Sequence, residues 1–146
     1  KCELEIYTER SERFPEDLPI RYELAMRLRR VGNYEEAIKH FTEAEGDPKL
    51  KARALLKRGE CQQQLKLFQQ ALETFKTAVD QARAAEDVEY RKMAMWRAAR
   101  LSEGLKQIIT AEKYYQMLWE FDANFEDVRA RLDKIRKIRD SEALGS

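Results

Sequence analysis

The side chains in this chain that could do covalent or acid–base chemistry are few and dispersed. His40 is the only histidine, so no imidazole pair can hold a zinc ion, and Cys2 and Cys61 supply no C-x-x-C knuckle. Both cysteines read as unpaired thiols. His40 stands beside Phe41 on a stretch whose inner face is already specified, and it reads as a structural residue. The carboxylate pairs Glu35-Glu36 and Glu86-Asp87 fall at helix starts, where the dipole favours negative charge. No glycine-rich loop joins a strand to a helix, and no segment reads as a strand. The sequence predicts no catalytic residue, no metal ligand and no cofactor, and therefore no enzyme.

What could position binding groups is clearer. Only 5 Gly and 3 Pro occur, with 38% charged and 43% hydrophobic side chains, the profile of a helix-rich folded chain. The 146 residues suit one domain or three to four stacked repeats. With 28 basic against 27 acidic side chains, the net charge of +1 creates no overall field toward nucleic acid or membrane. No apolar run approaches the ~20 residues needed to cross a bilayer, and no signal peptide is visible. A cytoplasmic location is expected, with any membrane anchor of a parent protein outside this segment. The chain opens at Lys1 without Met and partway through a helical unit, so it is expected to be a piece of a longer protein.

The strongest pattern is periodic. Tyr7, Phe41 and Phe75 recur at a step of 34, and small residues keep the same step: Ala25 with Gly59, Ala37 with Ala71, Ala44 with Ala78. Small and aromatic residues at this period signal stacked helix–turn–helix units. In the clearest unit, Tyr22, Leu24, Ala25 and Leu28 mark a first helix. Gly32 can take the positive φ that ends it. Asn33 can cap the next helix, and Glu36 stands at the capping-box position. Ala37, Ile38, Phe41 and Ala44 then share one face of the second helix.

Leu24-Ala25, Leu28, Gly32-Asn33-Tyr34, Ala37, Phe41 and Ala44 together resemble the tetratricopeptide repeat (TPR) family. The second unit matches through Leu55, Gly59, Phe68, Ala71, Phe75 and Ala78, and departs at Arg58, Gln62 and Lys66. Arg21 stands where the family often has Trp, and Pro48 lies one place early, although Asp47-Pro48 is a good helix start. Aligning Ala99, Ala111, Tyr115 and Leu118 to the same places needs a step of 40.

The resemblance implies an all-α, right-handed superhelix of stacked antiparallel helix pairs, a TPR-like α-solenoid with a C-terminal capping helix. Residues 1–16 read as the second helix of a preceding repeat. Residues 17–48 form one unit, and 49–86 a second whose helix is lengthened to about Ala85, with Glu86-Asp87 as the turn. Residues 87–123 form a divergent third. A capping helix spans 124–140, with Asn124 as N-cap and Phe125, Val128, Leu132, Ile135 and Ile138 as its seam, and 141–146 is a disordered tail.

In the family the first helix of each pair lines a concave groove. Carried to matching positions, this implies Tyr22, Met26, Arg29 and Arg30 from the first unit. The second contributes Arg53, Leu56, Lys57, Glu60, Gln63 and Gln64, and the third Met93, Trp96, Arg97, Arg100 and Glu103. Aromatic, Met and Arg side chains suit a protein or peptide partner, acidic or amphipathic. Family members that hold chaperone C-terminal tails use a clamp of Lys, Asn and Arg. The corresponding places here are Tyr22, Met26, Lys57, Met93 and Arg97, of which only Lys57 and Arg97 fit, so such tails are not the expected ligand.

The expected role is a non-enzymatic protein–protein interaction scaffold. Self-assembly into homo-oligomers is the alternative, through an end face of the stack. Nucleic acid is not an expected partner. Its one candidate contact, the basic run Arg129 to Arg139, also holds Asp133 and has no aromatic interleaved for stacking. An enzyme would need Glu60, Arg100 and Glu103 to converge across the groove.

Overall fold

The computed structural model describes residues 2–145, and among these every regular element is a helix. In chain order they are α1 (Glu3–Arg13), α2 (Leu18–Arg30), α3 (Tyr34–Ala44), α4 (Lys51–Gln64), α5 (Phe68–Gln81), α6 (Val88–Gly104), α7 (Ile108–Phe121) and α8 (Val128–Gly145). Each helix packs on the next, and α2 with α3, α4 with α5 and α6 with α7 form three antiparallel hairpins. The molecule is thus a stack of helical hairpins, a solenoid closed by α8.

Local chemistry sets the helix ends. Asp17 caps α2, its side chain accepting from the Ile20 N–H at 3.1 Å. Asn33 caps α3 in the same way, accepting from the Glu36 N–H at 3.4 Å. The return half of a capping box is not made. The Glu36 carboxylate takes Lys39 at 2.9 Å instead, while the Asn33 N–H donates to the Leu28 carbonyl.

All three hairpin turns share one geometry. Gly32, Lys66 and Lys106 have φ of 84°, 63° and 61°. After each, a backbone N–H reaches back five residues: Asn33 to Leu28, Leu67 to Gln62, Gln107 to Ser102, all at 2.9 Å. This is the Schellman closure of a helix. The turn geometry is therefore kept at Lys66 and Lys106, where the glycine is missing.

Close packing of small and ring residues makes each hairpin. Ala25, Ala37, Phe41 and Ala44 are fully buried in the first, as are Ala71 and Phe75 in the second. Ala99, Ala111, Tyr115 and Leu118 are fully buried in the third. At Gly59 a Cβ would lie 2.6 Å from Phe75 Cε1, so only glycine fits that approach. The departures at Arg58 and Gln62 are satisfied as polar contacts. Arg58 forks onto Glu45 at 2.6 and 3.1 Å, and Gln62 accepts from the Thr74 hydroxyl at 2.7 Å.

Several predicted boundaries are corrected. α5 is not lengthened to Ala85; it ends at Gln81. Buried Ala82 turns the chain, the Arg83 side chain takes the Asp80 carbonyl, and Ala85–Asp87 forms a short 3-10 turn. α4 does not start at Asp47-Pro48 but at Lys51, because the Asp47 carboxylate accepts from the Lys49 N–H and closes a turn first. The closing helix starts at Val128, not 124. Asn124 spends its N–H on Asp122, and the Asp127 carbonyl accepts the first helical bond, from Arg131. It runs on to Gly145, through the stretch expected to be a disordered tail. Lys1, assigned to the first helix, and Ser146, assigned to the tail, lie outside the described residues.

Candidate groove on the first helices

The first helices α2, α4 and α6 share a face, and one side chain demonstrates it. Glu60 on α4 takes Arg29 of α2 on Oε1 at 3.0 Å and Arg97 of α6 on Oε2 at 3.0 Å. Lys57, one turn earlier, approaches Oε1 at 3.4 Å. The Glu60 side chain is only 8% exposed. Burying a lone carboxylate there would be prohibitive; three cations compensate it and leave positive charge over.

Around this ladder lies a cavity of about 300 Å³. Met26, Arg29, Arg30, Glu60, Gln63, Gln64 and Arg97, all predicted groove positions, line it together with Tyr34. Arg30 is the most open of the cations, 69% exposed, and touches Glu3 at 3.3 Å. Tyr34, the first residue of α3, joins the lining from a second helix, whereas the family resemblance implies groove residues on first helices.

The remaining predicted positions divide. Leu56 is 2% exposed and belongs to the core, so it does not line the groove. Tyr22 is 8% exposed and packs edge-on against Phe41, with ring centres 5.6 Å apart. Burial pushes its hydroxyl up to about 12, helped by Tyr90 and opposed by Arg53. Trp96 is half-buried, edge-on to both Tyr115 and Phe125 at 6.0 Å, with Arg100 5.5 Å above it. Met93 packs partly into the same core. Glu103 is held by the Tyr115 hydroxyl at 2.6 Å and by Lys134 of α8 at 3.5 Å. Glu60, Arg100 and Glu103 therefore have separate partners and do not converge.

Arg53 lies over Tyr90, 4.9 Å from its ring centre. Tyr90 was missed, yet a signal existed: it precedes Arg97 by the same seven residues that separate Tyr22 from Arg29. Elsewhere, His40 is half-buried and its proton affinity is lowered, by burial first and by Arg21 second. Among the described residues no cluster of His, Cys, Asp and Glu could hold a metal ion, and no helix is long and apolar enough to cross a membrane.

No protein-family model and no curated protein matches the sequence. Solved structures do. The crystal structure of MamA is 13% identical, with a TM-score of 0.78 over 93% of this chain and 76% of that one. The first TPR of Spaghetti (RPAP3), bound to the HSP90 peptide SRMEEVD, is 23% identical, with a TM-score of 0.66 over 88% and 96%. PcrH in complex with the chaperone binding region of PopD is 21% identical, with a TM-score of 0.59 over 93% and 96%. At these identities the likeness concerns the backbone: this chain has the tetratricopeptide-type fold, a solenoid of stacked helical hairpins.

Proposed function

We propose that this chain is a non-enzymatic interaction module that binds an acidic peptide segment of a partner protein along the face of α2, α4 and α6. The observation that carries the reading is charge balance. Arg29, Arg30, Arg53, Lys57, Arg97 and Arg100 stand on these helices, while Glu60 is buried among three of them and Glu103 is held by α7 and α8. A groove with surplus cations favours a carboxylate-bearing ligand. Its fold relatives hold the HSP90 peptide SRMEEVD and the chaperone binding region of PopD.

Chaperone tails remain a poor fit. Of the clamp positions only Lys57 and Arg97 have suitable chemistry, while Tyr22, Met26 and Met93 supply neither the further cation nor the amides. Calorimetric titration with a glutamate-rich ten-residue peptide tests the broader reading. Arg30→Glu combined with Arg100→Glu should weaken binding at least tenfold with the helical circular dichroism intact, because both side chains are exposed. Equal affinity for this variant and the parent would place the binding face elsewhere.

Self-assembly is the second reading. Cys2, Leu4 and Val31 line a mainly apolar depression at the α1 end, and a second copy could seat there. Light scattering decides between them: a mass that stays constant over a hundredfold dilution argues against assembly.

A further inference from the structure

The groove has two levels that invert each other's chemistry. At one level, Arg29, Glu60 and Arg97 run across α2, α4 and α6 as cation, anion, cation. Seven residues earlier on the same three helices stand Tyr22, Arg53 and Tyr90. Seven residues are close to two full turns, so both sets share a face and lie about 10 Å apart. The earlier level carries a cation in the middle and no anion at all.

Arg53 differs from the cations gathered around Glu60, as does Arg100, which stands over Trp96 with no ion pair among the described residues. Arg29, Lys57 and Arg97 share Glu60, and Arg30 touches Glu3. Among the described residues Arg53 has no ion pair, and its Nε–H, like that of Arg97, is buried without a hydrogen-bond partner. Its guanidinium carbon instead lies over the Tyr90 ring, 4.9 Å from the ring centre. Contact with the ring restricts the side chain's rotamers, so part of its ordering cost is met before any ligand arrives. The Nε–H is enclosed, so the donors that a ligand carboxylate meets are the Nη groups of the same guanidinium, which have no hydrogen-bond partner among the described residues. The Tyr22 hydroxyl, close enough to Arg53 and Tyr90 to feel both, stands ready as a further donor.

Resting on the groove reading above, we propose that Tyr22, Arg53 and Tyr90 form a separate subsite for one acidic side chain of the bound peptide. The subsite fixes the ligand's register. A polyproline-II chain rises about 3.1 Å per residue with three residues per turn, so the acid held by Arg53 and the group seated in the cavity at Arg29 and Arg97 lie about three residues apart on one face of the ligand. Ligands with two acidic residues at i and i+3 are selected over those with adjacent acids.

The test uses fluorescein-labelled eleven-residue serine–glycine peptides carrying two glutamates at separations of one to five. On the parent chain, the i, i+3 peptide should bind at least tenfold tighter than its relatives and tighter than a single-glutamate control. Arg53→Gln should erase this preference, so that all the two-glutamate peptides bind that variant alike, within about twofold of one another. Arg53→Lys keeps the charge without the planar fork, and should recover only part of the preference. If Arg53→Gln keeps the full preference, the subsite is overturned although the groove stands. If the paired change at Arg30 and Arg100 also has no effect, the groove reading fails with it. Phosphoserine replacing one glutamate separates the oxyanion sources: a phosphate that binds where glutamate is no better than glutamine overturns the carboxylate assignment.

Discussion

Gly59 and Glu60 are neighbours in sequence, yet they serve two faces of α4 under opposite rules. Gly59 faces α5, where the Phe75 ring leaves no room for a Cβ. Glu60 faces the groove, where its two oxygens are shared among Arg29, Lys57 and Arg97. The first face is decided by volume and tolerates almost nothing. The second is decided by charge and carries a surplus. Stability should therefore respond mainly to the hairpin face and ligand affinity mainly to the groove face.

The largest expected effect tests the hairpin face. Gly59→Ala gains helix propensity of up to about 1 kcal/mol, but its Cβ meets a fully buried ring that cannot swing away. Overpacking of this kind costs about 1–3 kcal/mol. A net loss of about 1 kcal/mol, and up to about 2, is expected in urea unfolding, with unchanged peptide affinity for the fraction that remains folded. A neutral result would show that the hairpins separate more easily than the contact implies.

Glu60→Gln should move both quantities, in opposite directions. The amide keeps one acceptor for Arg29 or Arg97 but loses the charge that balances them. Breaking a buried pair costs about 3–5 kcal/mol. The cations here are 21–39% exposed and solvent screens them, so a loss of about 1 kcal/mol is expected. The freed cations should tighten an acidic peptide about tenfold, or ~1.4 kcal/mol. Unchanged affinity would break the comparison, because Glu60 would then be scaffold alone.

These two faces were not equally legible. Ala25, Ala37, Phe41, Ala44, Ala71 and Phe75 could be read from spacing, since close approach admits few residue types and repeats them. The end of α5 could not. Lack of Gly or Pro permits a helix to continue but does not oblige it to, and the stop comes from Arg83 capping the Asp80 carbonyl. Nor could the start of α8 be read from a good capping residue, because Asn124 donates its N–H to Asp122 instead. On the groove face, residue types and positions could be carried over, but their pairing could not. Arg29, Glu60 and Arg97 meet at unequal steps along the chain, so no period announces them. Leu56 sits amid the groove positions of α4 yet is buried, because it belongs to the core cluster that Ala94, Met95 and Ala98 of α6 share.

The smallest expected effect separates the faces most cleanly. Lys66 and Lys106 hold the left-handed turn that Gly32 holds in the first hairpin. That conformation costs an L-residue roughly 1–2 kcal/mol, while glycine adopts it freely but loses more entropy on folding. Both lysines are exposed, and neither lines the cavity. Lys66→Gly should therefore stabilise the chain by about 0.5–1 kcal/mol, read as a higher urea midpoint at constant slope. The Kd for an acidic peptide should stay the same, because the helices keep their register and the lost charge lies away from the groove ladder. Weaker binding would mean that the turn lysine itself contributes to the ligand's electrostatic attraction, and the groove would then extend past the ends of its helices.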